Sequence, residues 1–233
     1  MAPTTRSGVK PKTEVEKKSP KIVKKKPKTD KKVTEKKTPT KNGKAKEDKK
    51  AEKVEEKVED VEIEESPNTA KSIYEFTVKD IDGNEVSLDK YKGHVCIIVN
   101  VASKCTHTQS NYEQFVELYD KYADSKGLRI LAFPCNQFSS QESGSCEKIK
   151  SFAETKGVKF DMFDKINVNG KKADPLWAFL KDTLPEVTCG RATGKDIKWN
   201  FTKFIINKEG IPVERYASST KPLTLVDSLV KLW

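Results

Sequence analysis

Cys96-Ile-Ile-Val-Asn-Val-Ala-Ser-Lys-Cys-Thr-His-Thr-Gln-Ser-Asn-Tyr112 is the stretch whose reading decides the fold. Ile97–Ala102 is an apolar run broken only by Asn100, which suits a strand buried on both faces. The Ser/Thr/Gln/Asn cluster that follows stops a strand and can cap a helix. Tyr112, Phe115, Leu118, Tyr119 and Tyr122 then recur at helical spacing. Cys105 therefore lies just past the carboxyl end of a strand, at the entrance to a helix. There the unpaired backbone N–H groups and the positive end of the helix dipole favour a thiolate, and Lys104 adds positive charge. A free cysteine is more often a small buried hydrophobe, so position alone leaves both readings of Cys105 open.

Outward from this stretch, Ser72–Leu88 reads as a hairpin turning at Asp82-Gly83-Asn84. Leu128–Phe133 reads as the next strand, stopped by Pro134 and followed by the polar loop Cys135–Glu142. Gly127 is the expected cap of the helix at about Ser110–Ser125. Further helices are expected at Ser145–Lys156, closed by Gly157, and from Asp174-Pro175 through Leu180, where the proline suits a first turn. Asp182–Lys198 reads as a loop. Asn200–Asn207 and Ile211–Tyr216 pair across Lys208-Glu209-Gly210, and Pro222–Leu232 is a final helix. The β-α-β start implies a parallel pair with a crossover helix, and the later hairpin makes the sheet mixed. This pattern predicts an α/β, thioredoxin-like fold over residues 71–233, with a central mixed sheet flanked by helices and an N-terminal β-hairpin.

Residues 1–70 differ in kind. They contain no aromatic residue and no cysteine, and they carry 21 Lys+Arg against 14 Asp+Glu. Basic residues crowd into residues 1–50 (19 against 6 acidic), and residues 51–70 reverse the balance (2 against 8). Such a segment buries too little apolar surface to offset its ordering entropy, so a disordered Lys-rich tail is expected, with a short charged helix around Lys46–Glu65. It has no apolar core of a secretory signal, and its acidic residues argue against a mitochondrial presequence. The run Lys21-Ile-Val-Lys-Lys-Lys-Pro-Lys28 suits nuclear import or polyanion contact, or is a solvated charge run. The folded part carries 24 basic and 21 acidic residues, so the net charge of +10 comes mostly from the tail. All five cysteines lie in the folded part. An odd number without a secretion signal points to thiols in a reducing compartment, cytoplasmic and, through the basic run, nuclear. No C-x-x-C is present, and Cys105 and His107 lack further ligands at metal-binding spacing.

In a sheet of this kind, functional groups collect at the carboxyl ends of adjacent parallel strands. Cys105 follows the first strand of the pair, and Gln141 lies in the loop after the second. Trp199-Asn200 precedes a third strand. An indole N–H and two amides around one sulfur can hydrogen-bond a thiolate and an incoming peroxide oxygen.

Three motifs in order carry a resemblance: Asn100-Val-Ala-Ser-Lys-Cys105, Leu131-Ala-Phe-Pro-Cys-Asn-Gln-Phe138 with Gln141-Glu142, and Trp199-Asn-Phe-Thr-Lys-Phe204. Residues 72–233 resemble the glutathione peroxidase family, most closely its monomeric phospholipid-hydroperoxide type, because the Asp182–Lys198 connection is short where tetrameric members carry a long insertion. The resemblance implies a catalytic tetrad of Cys105, Gln141, Trp199 and Asn200, and a thiol-dependent peroxidase that needs no metal or organic cofactor. It also implies glutathione or thioredoxin as reductant. The chain departs from the family at Thr106, where Gly is usual, and in Phe138-Ser-Ser-Gln-Glu-Ser-Gly144, where the family has Gly and Pro. Many animal members carry selenocysteine where this chain has Cys105. Thioredoxin-using relatives place a resolving cysteine where this chain has Ala153.

Cys146, close to the start of the second helix, is the expected resolving cysteine if one acts; Cys189 is the other with reach. Lys104, Lys198 and Arg215 are expected to form a positive rim for an anionic substrate group, the last two matching basic positions of phospholipid-type relatives. Two other functions share the sequence. One is a peroxide sensor or redox relay that uses the same residues. The other is a nucleic-acid-associated protein acting through the basic tail.

Overall fold

The computed structural model describes residues 69–188 and 191–233. The tail expected to be disordered, its charged helix, the basic run Lys21–Lys28 and Cys189 lie outside the described residues. The strands are β1 (Thr77–Lys79), β2 (Glu85–Ser87), β3 (Cys96–Val101), β4 (Arg129–Pro134), β5 (Asp161–Met162), β6 (Glu186–Thr188), β7 (Arg191–Gly194), β8 (Lys203–Ile206) and β9 (Pro212–Tyr216). The α-helices are α1 (Thr108–Lys126), α2 (Cys146–Thr155), α3 (Pro175–Thr183) and α4 (Val226–Leu229).

Five strands form one sheet in the order β5-β4-β3-β8-β9. β3 pairs parallel with β4, and β4 with β5, whereas β8 runs antiparallel to both β3 and β9. Every residue of β3 is buried, as its apolar run requires. Ile97, Val99 and Val101 join a core with Tyr112, Phe115 and Leu118 of α1, Ile149 and Ala153 of α2, and Leu225 and Leu229. Cys96 and Ile98 join a second core with Leu176, Trp177 and Leu180 of α3. Each such apolar side chain contributes about 1.5–3 kcal/mol when fully buried. The sheet thus has a helical layer on each face, the thioredoxin-like arrangement expected.

α1 ends where Gly127 adopts φ 71°, and the N–H groups of Gly127 and Leu128 both donate to Tyr122 O. A Cβ at Gly127 would lie 2.8 Å from His94 Nδ1, so this cap is closed to other residues by conformation and by contact.

Several elements differ from the expectation. The N-terminal hairpin is only three residues long on each side. It turns on Asp80, whose Oδ1 accepts from the N–H groups of Asp82 and Asn84, each at 2.9 Å. Its flanks, Ile73–Glu75 and Leu88–Tyr91, are 3-10 turns. The first is held by Glu75 Oε1, which accepts from Ser72 N, so the apparent alternation of Tyr74 and Phe76 is not a strand's. β5 contains two residues and gives no periodic signal. The segment read as a loop, 182–198, contains the antiparallel pair β6–β7. The expected C-terminal helix divides into a 3-10 turn, Pro222–Leu225, and the four-residue α4. The strand expected from Asn200 begins at Lys203, because Phe201 takes φ 62° and turns the chain out of the ladder.

Candidate active site

The parallel pairing of β3 and β4 brings their carboxyl ends level, with Val101 opposite Pro134. Both chains therefore enter their turns at the same edge of the sheet. β8 runs the other way, so its amino-terminal end arrives at this same edge. Three segments distant in sequence are thus forced together: 102–107, 135–144 and 199–202.

Cys105 lies in the first turn, two residues before the residue that caps α1, His107. It is 7% exposed and packs in the same core as Phe201. Thr108 fixes the turn. Its Oγ1 donates to Ala102 O at 2.6 Å and accepts from Cys105 N at 3.1 Å, while Thr108 N donates to Cys105 O at 3.0 Å. The backbone on both sides of the sulfur-bearing carbon is therefore rigidly tied. The side chain stays close to solvent without being open to it.

Gln141 reaches this turn through its main chain: Lys104 N donates to Gln141 O at 3.1 Å, one residue from Cys105. Its side chain reaches the third segment, where Asn200 Nδ2 donates to Gln141 Oε1 at 2.9 Å. Asn200 is fully buried, and its Oδ1 has no hydrogen-bond partner among the described residues. An unpaired buried acceptor is costly, so this oxygen is set to accept a proton-bearing group. Trp199 is half-buried and packs against both cores, with its ring 5.9 Å from that of Phe138. The strain of the Gln141 loop is visible at Ser139 (φ 52°) and Ser140 (φ 51°), within the stretch where this chain departs from the family pattern. The four residues singled out by sequence are thus gathered at one end of the sheet.

Two residues that sequence reasoning left without a role hold this assembly. Asn100, buried in β3, donates from Nδ2 to Trp199 O at 3.2 Å and accepts from Thr202 N at Oδ1, 2.9 Å. Its own carbonyl accepts from Phe201 N at 2.7 Å. One asparagine thereby grips both sides of the turn that carries Trp199 and Asn200. A lone polar residue in an apolar strand was the available signal. Lys203 is the second. It is fully buried, and its Nζ donates to Thr220 O at 2.6 Å and Ser218 O at 3.3 Å. Burial pushes the Lys203 ammonium down to about 7.

The other expected residues divide. Lys104 is exposed and donates from Nζ to Ser143 Oγ at 3.2 Å. Lys198 is exposed and lines a groove of about 280 Å³ with His107, Trp199, Thr202 and Ser218. His107, which the sequence left without further ligands for a metal and gave no other role, lines this groove. Arg215 does not join them. Its Nη1 donates to Leu184 O (3.2 Å) and Lys195 O (2.9 Å), and its Nη2 to Asp196 O (3.0 Å). It also lies against the Phe204 ring, 5.4 Å from the centroid. Its guanidinium is engaged in holding the segment around β6–β7, not in presenting charge to a ligand.

Cys146 opens α2, as expected, but not as a favoured thiolate. Burial pushes its thiol up, and so does the hydrogen bond it donates to Asp164 Oδ1 at 2.9 Å. The Lys165 backbone and charge oppose them, and the net direction is upward. Cys96 and Cys135 are fully buried, and burial pushes the Cys96 thiol up to about 12 and raises that of Cys135. Among the described residues, no group of three or more His, Cys, Asp or Glu side chains is placed to hold a metal ion, and no helix is long and apolar enough to cross a membrane.

The family model for glutathione peroxidase matches residues 73–181. Over 162 residues the chain is 54% identical to the phospholipid hydroperoxide glutathione peroxidase of Callithrix jacchus, a match covering 69% of this chain and 80% of that protein. It is 50% identical over 163 residues to the putative chloroplastic glutathione peroxidase 7 of Arabidopsis thaliana, covering 70% of this chain and 67% of that one. The crystal structure of T. cruzi GPX1 is similar at a TM-score of 0.57 and 40% identity, over 70% of this chain and 96% of that one. Identity at that level across most of a full-length relative, on a shared fold, means that the chain belongs to the glutathione peroxidase family and is an oxidoreductase that reduces hydroperoxides.

Proposed function

We propose that Cys105 is the peroxidatic nucleophile and that the substrates include hydrogen peroxide and organic and phospholipid hydroperoxides. The Cys105 thiolate attacks the distal peroxide oxygen; the S–O bond forms as the O–O bond breaks, and the alcohol leaves after taking up a proton. The resulting sulfenic acid is attacked by a first thiol, which forms a mixed disulfide and releases water. A second thiol forms the free disulfide and returns the Cys105 thiolate.

The observation that carries this reading is the Gln141–Asn200 side-chain pair beside the Cys105 turn, with Asn200 Oδ1 buried and unpartnered among the described residues. Such an acceptor suits the thiol S–H at rest or the O–H of an incoming hydroperoxide. Trp199 and the Gln141 amide supply donors for the charge that develops on the departing oxygen. Lys104 and Lys198 are exposed cations beside this edge and would draw in an anionic group, a glutathione carboxylate or a lipid phosphate.

The family's reductant is glutathione, and a one-cysteine glutathione cycle is the reading we adopt. Cys146 is held by Asp164 as a protonated thiol, and Ala153 is buried in the core. We further read the protein as a monomer of the cytoplasm and nucleus, with residues 21–28 contacting the import machinery or a polyanion. Turnover of a phospholipid hydroperoxide with glutathione, or with thioredoxin and its reductase, as the only reductant tests the whole proposal. Glutathione-dependent turnover, with sulfenic acid on Cys105 when reductant is withheld, is expected. Turnover by thioredoxin alone, with a Cys105–Cys146 disulfide on peptide mapping, overturns the one-cysteine cycle. Oxidation of Cys105 without turnover by either reductant makes the protein a redox relay.

A further inference from the structure

Glu142 follows Gln141 and has no part in the chemistry above, yet it is among the most buried charged groups of the molecule, 1% exposed. Both its carboxylate oxygens accept from one hydroxyl, Ser103 Oγ, at 2.8 and 3.0 Å. Its own N–H donates to Asn136 Oδ1 at 3.0 Å. One residue earlier, Gln141 O accepts from Lys104 N. The dipeptide Gln141-Glu142 therefore grips the dipeptide Ser103-Lys104, which immediately precedes Cys105. The first grip is through a carbonyl, the second through a carboxylate. The same Gln141 carries the amide that Asn200 binds. A buried carboxylate is expensive unless paired, and burial does push the Glu142 carboxyl up, with Ser103, Lys165 and Lys104 opposing. A molecule that needed only to pack this position would hold an apolar residue there.

We propose that Glu142 is a positioning residue: through Ser103 it fixes the distance between the Cys105 turn and the Gln141–Asn200 pair. The inference rests on Cys105 being the nucleophile. If Ser103 slips, Cys105 and Gln141 lose their common reference, and a shift on the order of 1 Å at a reacting centre can cost up to about 100-fold in rate. The turn retains Thr108 on its other side, so a partial loss is expected.

The experiment uses the full chain with Ser103→Ala, Glu142→Leu, which has no oxygen left to accept from Ser103, the double variant and Ser103→Thr. Stopped-flow oxidation of Cys105 by hydrogen peroxide is measured beside alkylation of the same thiol by iodoacetamide, which needs no amide donors. Ser103→Ala and Glu142→Leu are each expected to slow oxidation about 10-fold with alkylation little changed, because only the peroxide reaction uses the oriented donors. The double variant should be no slower than either single one, because both break one link. Ser103→Thr keeps the hydroxyl and should recover most of the rate lost in Ser103→Ala. Wild-type oxidation rates in both single variants, multiplying losses in the double, or equal slowing of alkylation would overturn the proposal. Should Glu142→Leu fail to fold, Ser103→Ala, which deletes one oxygen, decides alone. Absence of Cys105 sulfenic acid in the unmodified protein would instead refute the nucleophile itself.

Discussion

Cys105 is surrounded by backbone ties, so its replacement tests chemistry and not folding. Cys105→Ser should abolish peroxidase turnover and leave the melting temperature within a few degrees, because a hydroxyl does not ionise usefully near neutral pH; coupled turnover and thermal melts check both. Gln141→Ala, Trp199→Phe and Asn200→Ala should each slow sulfenic acid formation by roughly 10- to 1000-fold, as lost preorganised donors do. Rates unchanged from wild type would reduce these residues to packing. Lys203 supplies a pH signature. Its folded value of about 7 lies below its usual 10.5. Between those values the unfolded chain binds the proton and the folded one does not, so this group makes stability rise with pH from about 7 upward and adds no slope below it. Lys203→Met should remove that slope: between pH 7 and 9 the variant loses stability relative to wild type by roughly 1 kcal/mol per pH unit. Urea titrations at the two pH values measure it, before the buried tyrosines and Cys96 dominate at higher pH.

At the scale of elements, β8 is the pivot. Asn100 of β3 ties the turn before it, Lys203 ties its first residue to 218–220, and β9 beside it supplies Arg215 to the connection 184–196. That connection ends just before Trp199, so the latch and the site share a segment. Arg215→Lys keeps the charge but loses the planar fork that serves three carbonyls. It should leave the peroxide oxidation rate within about 3-fold while speeding proteolytic cleavage within 184–196, as local opening is eased. A large rise in glutathione KM without faster cleavage would instead return Arg215 to the ligand-binding role its sequence position suggested. The β8–β9 turn meets the N-terminal segment at Gly210 (φ 80°), whose carbonyl accepts from Ile73 N, and an added Cβ would lie 2.7 Å from the Tyr74 ring.

Across the whole molecule, charge and chemistry are separated in sequence. The peroxidase part is close to neutral, with 24 basic against 21 acidic residues, and residues 1–50 carry a basic excess of 13 (19 against 6). Deleting residues 1–68 should leave turnover of hydrogen peroxide within about 2-fold, because a small neutral substrate feels little long-range field. The same deletion should abolish salt-dependent retention on a polyanion, which scales with the number of basic contacts. Heparin chromatography of the two forms at increasing salt decides it.

The sequence alone determined the sheet's central strand, its parallel partner and the order of the three motifs. Continuous apolar runs and strand-terminating clusters are local signals, and motif spacing survives without coordinates. It also singled out Cys105, Gln141, Trp199 and Asn200. What those local signals do not contain is how side chains meet across long separations in sequence. Only the tertiary structure made Asn100 a clamp on Trp199, turned Arg215 inward as a latch, and gave the Cys146 thiol to Asp164 in place of a thiolate. Likewise, the short strands β5, β6 and β7 and the positive φ of Phe201 come from pairing and packing with distant segments. A two- to four-residue stretch has too few residues to show a period of its own.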